Sequence, residues 1–121
     1  MSGVIDDPER AAVQRLLDSE RHSAAAQIAA FSRDLGVIID AATSVATDDE
    51  HDPEGPTIAY ERAQVAALLD RAHERLAEVD AAARRLDAGS YGRCERCGRP
   101  VAAERLAARP LARTCIACAQ A

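Results

Sequence analysis

Two stretches of the chain carry apolar residues at helical spacing, and both are long. In the first, Leu17, Arg21, Ala24, Ile28, Phe31, Leu35, Ile38, Ala42 and Val45 succeed one another in alternating steps of four and three. That is the seam of a coiled coil, interrupted once by a charge, Arg21. In the second, the same steps link Ile58, Glu61, Val65, Leu68, Ala72, Arg75, Val79, Ala82 and Leu86. Leu69, Leu76 and Ala83 widen that stripe, and Asp80 with Arg84 forms an i,i+4 pair on it. Asp7-Pro8-Glu9 reads as the start of the first helix, with Asp7 as N-cap and Pro8 at the first helical position. Two prolines and a glycine within residues 47–56 break the pattern, and Pro56 or Thr57 reopens it. Gly89 closes the second helix, because a glycine tolerates the left-handed conformation at a helix end. Two amphipathic helices joined by a short break bury their stripes against each other. The predicted fold is therefore mainly α: a long antiparallel coiled-coil hairpin over residues 7–89, after a disordered N-terminus over residues 1–6. The second helix would be about 48 Å long at 1.5 Å per residue, which sets the 47–56 tip far from the segment beyond Gly89.

That C-terminal segment is of another kind. Residues 90–121 hold all four cysteines, as Cys94-Glu95-Arg96-Cys97-Gly98 and Cys115-Ile116-Ala117-Cys118, with 17 residues between the pairs. Zinc takes four thiolates in a tetrahedron at about 2.3 Å, and each Cys-x-x-Cys turn supplies one edge of it. Gly98 suits the tight turn after Cys97. Two such pairs at this spacing predict a small zinc-finger module with four cysteine ligands. With every position filled by protein the zinc is structural, so the site is not that of a hydrolase and the chain reads as no enzyme. Paired disulfides and thioredoxin-like redox chemistry are the competing readings. Neither an export signal near the N-terminus nor a βαβ pattern supports them, and a cytoplasmic chain keeps such thiols reduced. His22, His51 and His73 lie outside the module and read as surface or turn residues.

Composition narrows the picture further. Of the 121 residues 28 are alanine, and the aromatics are Phe31, Tyr60 and Tyr91 alone, so helices are favoured over a large core. No apolar run reaches the roughly 18 residues a membrane span needs. Residues 1–92 carry 18 acidic and 9 basic side chains, whereas residues 93–121 carry 2 and 6. The whole chain stands at −5, which disfavours free nucleic acid as the main partner. Five carboxylates, Asp48, Asp49, Glu50, Asp52 and Glu54, crowd the tip. A solvated turn explains them on composition alone. Their spacing does not fit a calcium loop, and a turn without a pocket does not suit glycoside hydrolysis. The functional alternative is a set of repelling charges presented at the end of a rod to a cationic partner.

The layout as a whole resembles the DksA/TraR family of bacterial zinc-finger proteins. The matching text is Tyr91-Gly92-Arg93-Cys94-Glu95-Arg96-Cys97-Gly98, then Glu104-Arg105-Leu106, Ala108-Arg109-Pro110 and the second cysteine pair. The resemblance implies a transcription regulator that binds RNA polymerase without touching DNA, inserting the hairpin into the secondary channel. It further implies Cys94, Cys97, Cys115 and Cys118 as zinc ligands, and ppGpp as a co-effector in the stringent response. The family's tip pattern, Asp-x-x-Asp-x-Ala, falls on Asp49, Asp52 and Glu54, with glutamate where the family has alanine. Arg93, Arg96 and Arg109 are then candidate contacts to the polymerase rim, and Arg71, Arg75 and Arg84 candidates for a nucleotide. Two other classes stay open on the residues: a zinc ribbon that binds nucleic acid through the arginines of the module, and a thiol sensor that signals by releasing zinc.

Overall fold

The computed structural model describes residues 6–48 and 55–120, with side chains up to residue 43 and again from residue 55. The described residues form four helices: α1 (Asp7–Asp48), α2 (Gly55–Ala88), α3 (Ala103–Ala108) and α4 (Ile116–Gln120). Among the described residues, the only strand-like pairing is an isolated antiparallel bridge between Arg93 and Pro100.

The ends of the helices are set by local chemistry. Asp6, rather than the expected Asp7, is the N-cap of α1. Its carboxylate accepts the N–H of Glu9 at 2.9 Å, and its carbonyl accepts that of Arg10 at 2.8 Å. Pro8 then lies second in the helix, where its missing N–H would have had no helical partner anyway. Within the expected 47–56 break, α1 reaches Asp48 and α2 begins at Gly55. Pro56 is tolerated in that first turn for the same reason as Pro8. The end of α2 is as expected. Gly89, at φ 82°, donates to the Leu86 carbonyl at 3.2 Å, and Ser90 donates to Arg85 at 2.9 Å. This is the paired 6→1 and 5→2 arrangement that uses a left-handed residue to satisfy the last carbonyls of a helix.

The chain divides into two units, one made of Met1–Arg21 with Ala77–Ala121 and the other of His22–Leu76. In the first, the start of α1 runs antiparallel to the end of α2. Arg10 reaches the Leu86 carbonyl and the Asp87 carboxylate at 2.8 and 3.1 Å, while Arg21, farther along α1, meets Asp80, earlier in α2. Arg21, the charge in the apolar seam, is accommodated because its Nε and Nη2 both donate to Asp80, at 3.2 and 2.8 Å. Asp80 thus turns across the helix pair instead of toward Arg84 on its own helix. The core here consists of Leu17, Val79, Ala82, Leu86 and Tyr91, with Val13, Ala83, Leu106 and Leu111 packed against it. Leu106 and Leu111 thus extend the core of the helix pair.

In the second unit the α1 stripe is the expected one: Ala24 is buried, and Ile28, Phe31, Leu35, Ile38 and Ala42 are half-buried. Val45 lies outside the described side chains. The α2 stripe is rotated from the one read in the sequence. Glu61, Leu68 and Arg75 are exposed, whereas Ile58, Val65, Leu69, Ala72 and Leu76 are withdrawn from solvent. A seam through Arg75 would strip a guanidinium of water, while turning α2 slightly offers Leu69 and Leu76 in its place.

Candidate metal centre

Residues 92–101 form a short hairpin that carries the first cysteine pair. Val101 donates to the Gly92 carbonyl at 2.7 Å and Cys94 to the Arg99 carbonyl at 2.8 Å, closing it from both ends. Gly98 donates to the Cys94 carbonyl at 2.9 Å and has φ 75°, which turns the chain sharply after Cys97. The second pair rides on α4: Cys115 immediately precedes it, Cys118 is within it, and Ala119 donates to the Cys115 carbonyl at 2.9 Å. Two bonds tie the two halves together, and a third ties α3 to the second. Glu95 N–H donates to Arg113 O at 2.9 Å, Arg96 Nη1 to Cys118 O at 3.2 Å, and Arg105 Nε to Thr114 O at 3.0 Å. Behind them the buried Tyr91 hydroxyl donates to Pro110 O at 2.8 Å, anchoring the linker to the end of α2.

The four cysteine sulfurs all lie within 4.8 Å of one another. Cys97 Sγ and Cys115 Sγ are 3.8 Å apart. That separation is the edge of a tetrahedron with bonds of about 2.3 Å, also about 3.8 Å, and nearly twice a disulfide bond. All four cysteines are free. Their acidities pull in opposite directions. Backbone hydrogen bonds from Cys115, then Cys97, draw the Cys94 thiol down to about 6. Cys115 is likewise lowered, first by the backbone of Cys118. Cys118 is pushed up to about 12, first by the Cys115 side chain and then by that of Cys94. Four sulfurs so close cannot all ionise without a cation among them, and a divalent, thiophilic ion removes that repulsion. The donor set fits zinc: Cys94, Cys97, Cys115 and Cys118 are positioned to bind one ion, with no place left for a reacting water.

Residues 89–121 match the sequence profile of the prokaryotic dksA/traR C4-type zinc finger. The chain is 42% identical over 52 residues to the RNA polymerase-binding transcription factor DksA of Caulobacter vibrioides. It is 44% identical over 45 residues to an uncharacterized protein of Aquifex aeolicus. These matches cover 43% and 37% of this chain but only 37% and 31% of the relatives' own lengths. The structure of transcription factor DksA2 from Pseudomonas aeruginosa superimposes with a TM-score of 0.81, over 99% of this chain and 87% of that one. At 24% identity that likeness speaks for the fold. Residues 89–121 are thus similar to the DksA/TraR-type zinc finger.

The sequence-predicted positions divide three ways. The structure brings the zinc ligands together. Arg93, Arg96 and Arg109 are exposed on the same module, with Arg96 bent back onto Cys118. The tip residues Asp49, Asp52 and Glu54 lie outside the described residues. Among the histidines, His22 and His73 are partly or fully exposed, and His51 falls outside the description as well. Arg71, Arg75 and Arg84 all lie exposed along α2. The sequence reading missed Arg85. Its side chain is 13% exposed and stands 4.0 Å from Glu95, the residue directly after the first DksA/TraR-type ligand. A Cys-Glu-x-Cys turn close behind an arginine at a helix end was the signal available, but helical periodicity does not register charge pairing across a turn.

Proposed function

We propose that the chain binds RNA polymerase and modulates transcription initiation, with its 47–56 tip in the secondary channel and no direct contact to DNA. The match of residues 89–121 to the dksA/traR finger carries this reading, and the name of the Caulobacter relative supplies the partner. In this scheme Asp49, Asp52 and Glu54 approach the polymerase active site, where a channel excluding water would strengthen their charges. Arg93, Arg96 and Arg109 meet the rim of the channel, ppGpp acts as a co-effector, and the protein works in the cytoplasm. Glu54 adds a carboxylate where the family pattern has alanine, making the tip more strongly anionic.

The test is co-purification with core RNA polymerase, competed by another protein of the secondary channel, alongside promoter-complex lifetimes measured in vitro. Asp52→Asn is expected to keep polymerase binding largely intact while abolishing the effect on those lifetimes. Full activity of Asp52→Asn, or capture that a channel competitor leaves unchanged, overturns the assignment.

A further inference from the structure

One residue near the end of α2 serves the helix and the zinc finger together. The Arg85 carbonyl accepts the N–H groups of Ser90 and Tyr91, at 2.9 and 3.1 Å, and so closes the helix. Its guanidinium turns toward the first cysteine turn, is largely buried, and has at Nη2 a buried nitrogen with no hydrogen-bond partner. The carboxylate of Glu95 stands 4.0 Å away and is 3.9 Å from Arg113 on its other side. Glu95 itself is fixed at the backbone, by its bond to Arg113 and by the ligands Cys94 and Cys97 that flank it.

We infer that Glu95 is a positioning residue that couples zinc occupancy to the last turn of α2, through the buried cation of Arg85. With zinc held, Cys94 and Cys97 keep the Glu95 carboxylate facing Arg85. Without it, the first cysteine turn is no longer pinned, and a mostly buried guanidinium loses the nearest anion. A buried charge deprived of its partner is strongly unfavourable, whereas removing both charges is close to neutral. The helix end is then the part that opens, since Arg85 closes it through its own carbonyl and gains fuller access to water when that turn comes apart. This goes beyond polymerase binding and does not depend on it.

The experiment measures amide hydrogen exchange of residues 84–91 in the full chain, with zinc content determined on the same samples. In the native protein, removing zinc with a chelator should speed exchange there. In Glu95→Gln, exchange should be faster by about tenfold even with zinc bound, the size expected of a half-buried ion pair. Adding Arg85→Met to Glu95→Gln should return it close to native, because no stranded charge remains. A merely structural glutamate would not be rescued by removing a second residue. Native exchange in zinc-loaded Glu95→Gln, or a double variant no better than the single one, overturns the inference.

Discussion

Within the cysteine cluster Cys94 and Cys118 hold their protons very differently, and that bears on how the site answers to pH. The Cys94 thiol is depressed from an ordinary 9.0 to about 6. A depressed acid contributes its stabilisation fully above the ordinary value and loses it as pH falls through the depressed one. Protons compete with the metal for the same sulfurs, so bound zinc should be retained through neutrality and released on acidification. A chromophoric zinc indicator in an acid titration reads this directly; release beginning near pH 8 would contradict it. Cys118, at about 12 without a cation, is protonated at pH 7. Zinc uptake by the reduced, metal-free chain should therefore liberate its proton, which calorimetry in buffers of different ionisation enthalpy measures. Tyr91 differs from these groups. Burial raises its pKa, Arg85 opposing the shift, so the phenol stays neutral and keeps donating to Pro110.

Helices α1 and α2 test how far periodicity alone can be trusted. The α1 seam was legible because its residues are large or small apolar groups in regular steps, and the one charge in it found Asp80 opposite. The α2 seam was read one position off at Leu68 and Arg75, because the leucines beside them, Leu69 and Leu76, also lie seven apart. Only the cost of burying Arg75 separates the two registers, and that cost depends on what faces it. The N-cap slipped for a similar reason, since Asp6 and Asp7 are both capable caps and only the donor geometry of Glu9 chooses between them. The zinc ligands were fully legible, because their spacing is a local property. The Arg85–Glu95 contact was not, because it arises only once the turn after Gly89 has folded back. Gly36 offers a prediction at this scale. A Cβ there would meet nothing within 4 Å, and the residue is exposed inside α1. Gly36→Ala should stabilise the protein by about 0.5–1 kcal/mol through helix propensity alone. Leu17→Ala, by contrast, empties a fully buried site and should cost about 2–5 kcal/mol. Urea unfolding of the zinc-loaded protein compares them, and a destabilised Gly36→Ala would mean the glycine serves a partner or a bend.

Across the molecule the charges are sorted by sequence, with an acidic majority over residues 1–92 and six arginines against two acids over residues 93–121. Six arginines beside a zinc site invite a nucleic-acid reading, and their contacts decide how much of it survives. Arg96 bonds to Cys118 O, Arg105 to Thr114 O, and Arg113 faces Glu95 at 3.9 Å. Arg105 and Arg113 are held by partners within the finger, and Arg96, though exposed, already commits Nη1 to Cys118 O, so a phosphate would have to compete for all three. Arg93, Arg99 and Arg109 are exposed. A duplex contacted through these three would release about 0.9 counterion for each phosphate, giving a slope of log K against log salt of about −3. The acidic residues of the same chain oppose even that encounter. The full-length, zinc-loaded protein should therefore bind duplex DNA weakly, with a slope no steeper than about −3 in a fluorescence-anisotropy titration between about 50 and 200 mM salt. A slope near about −6 would require all six arginines on the backbone, and would move the protein from polymerase partner to DNA-binding ribbon. A shallow slope leaves the exposed arginines available to the protein surface proposed as their partner.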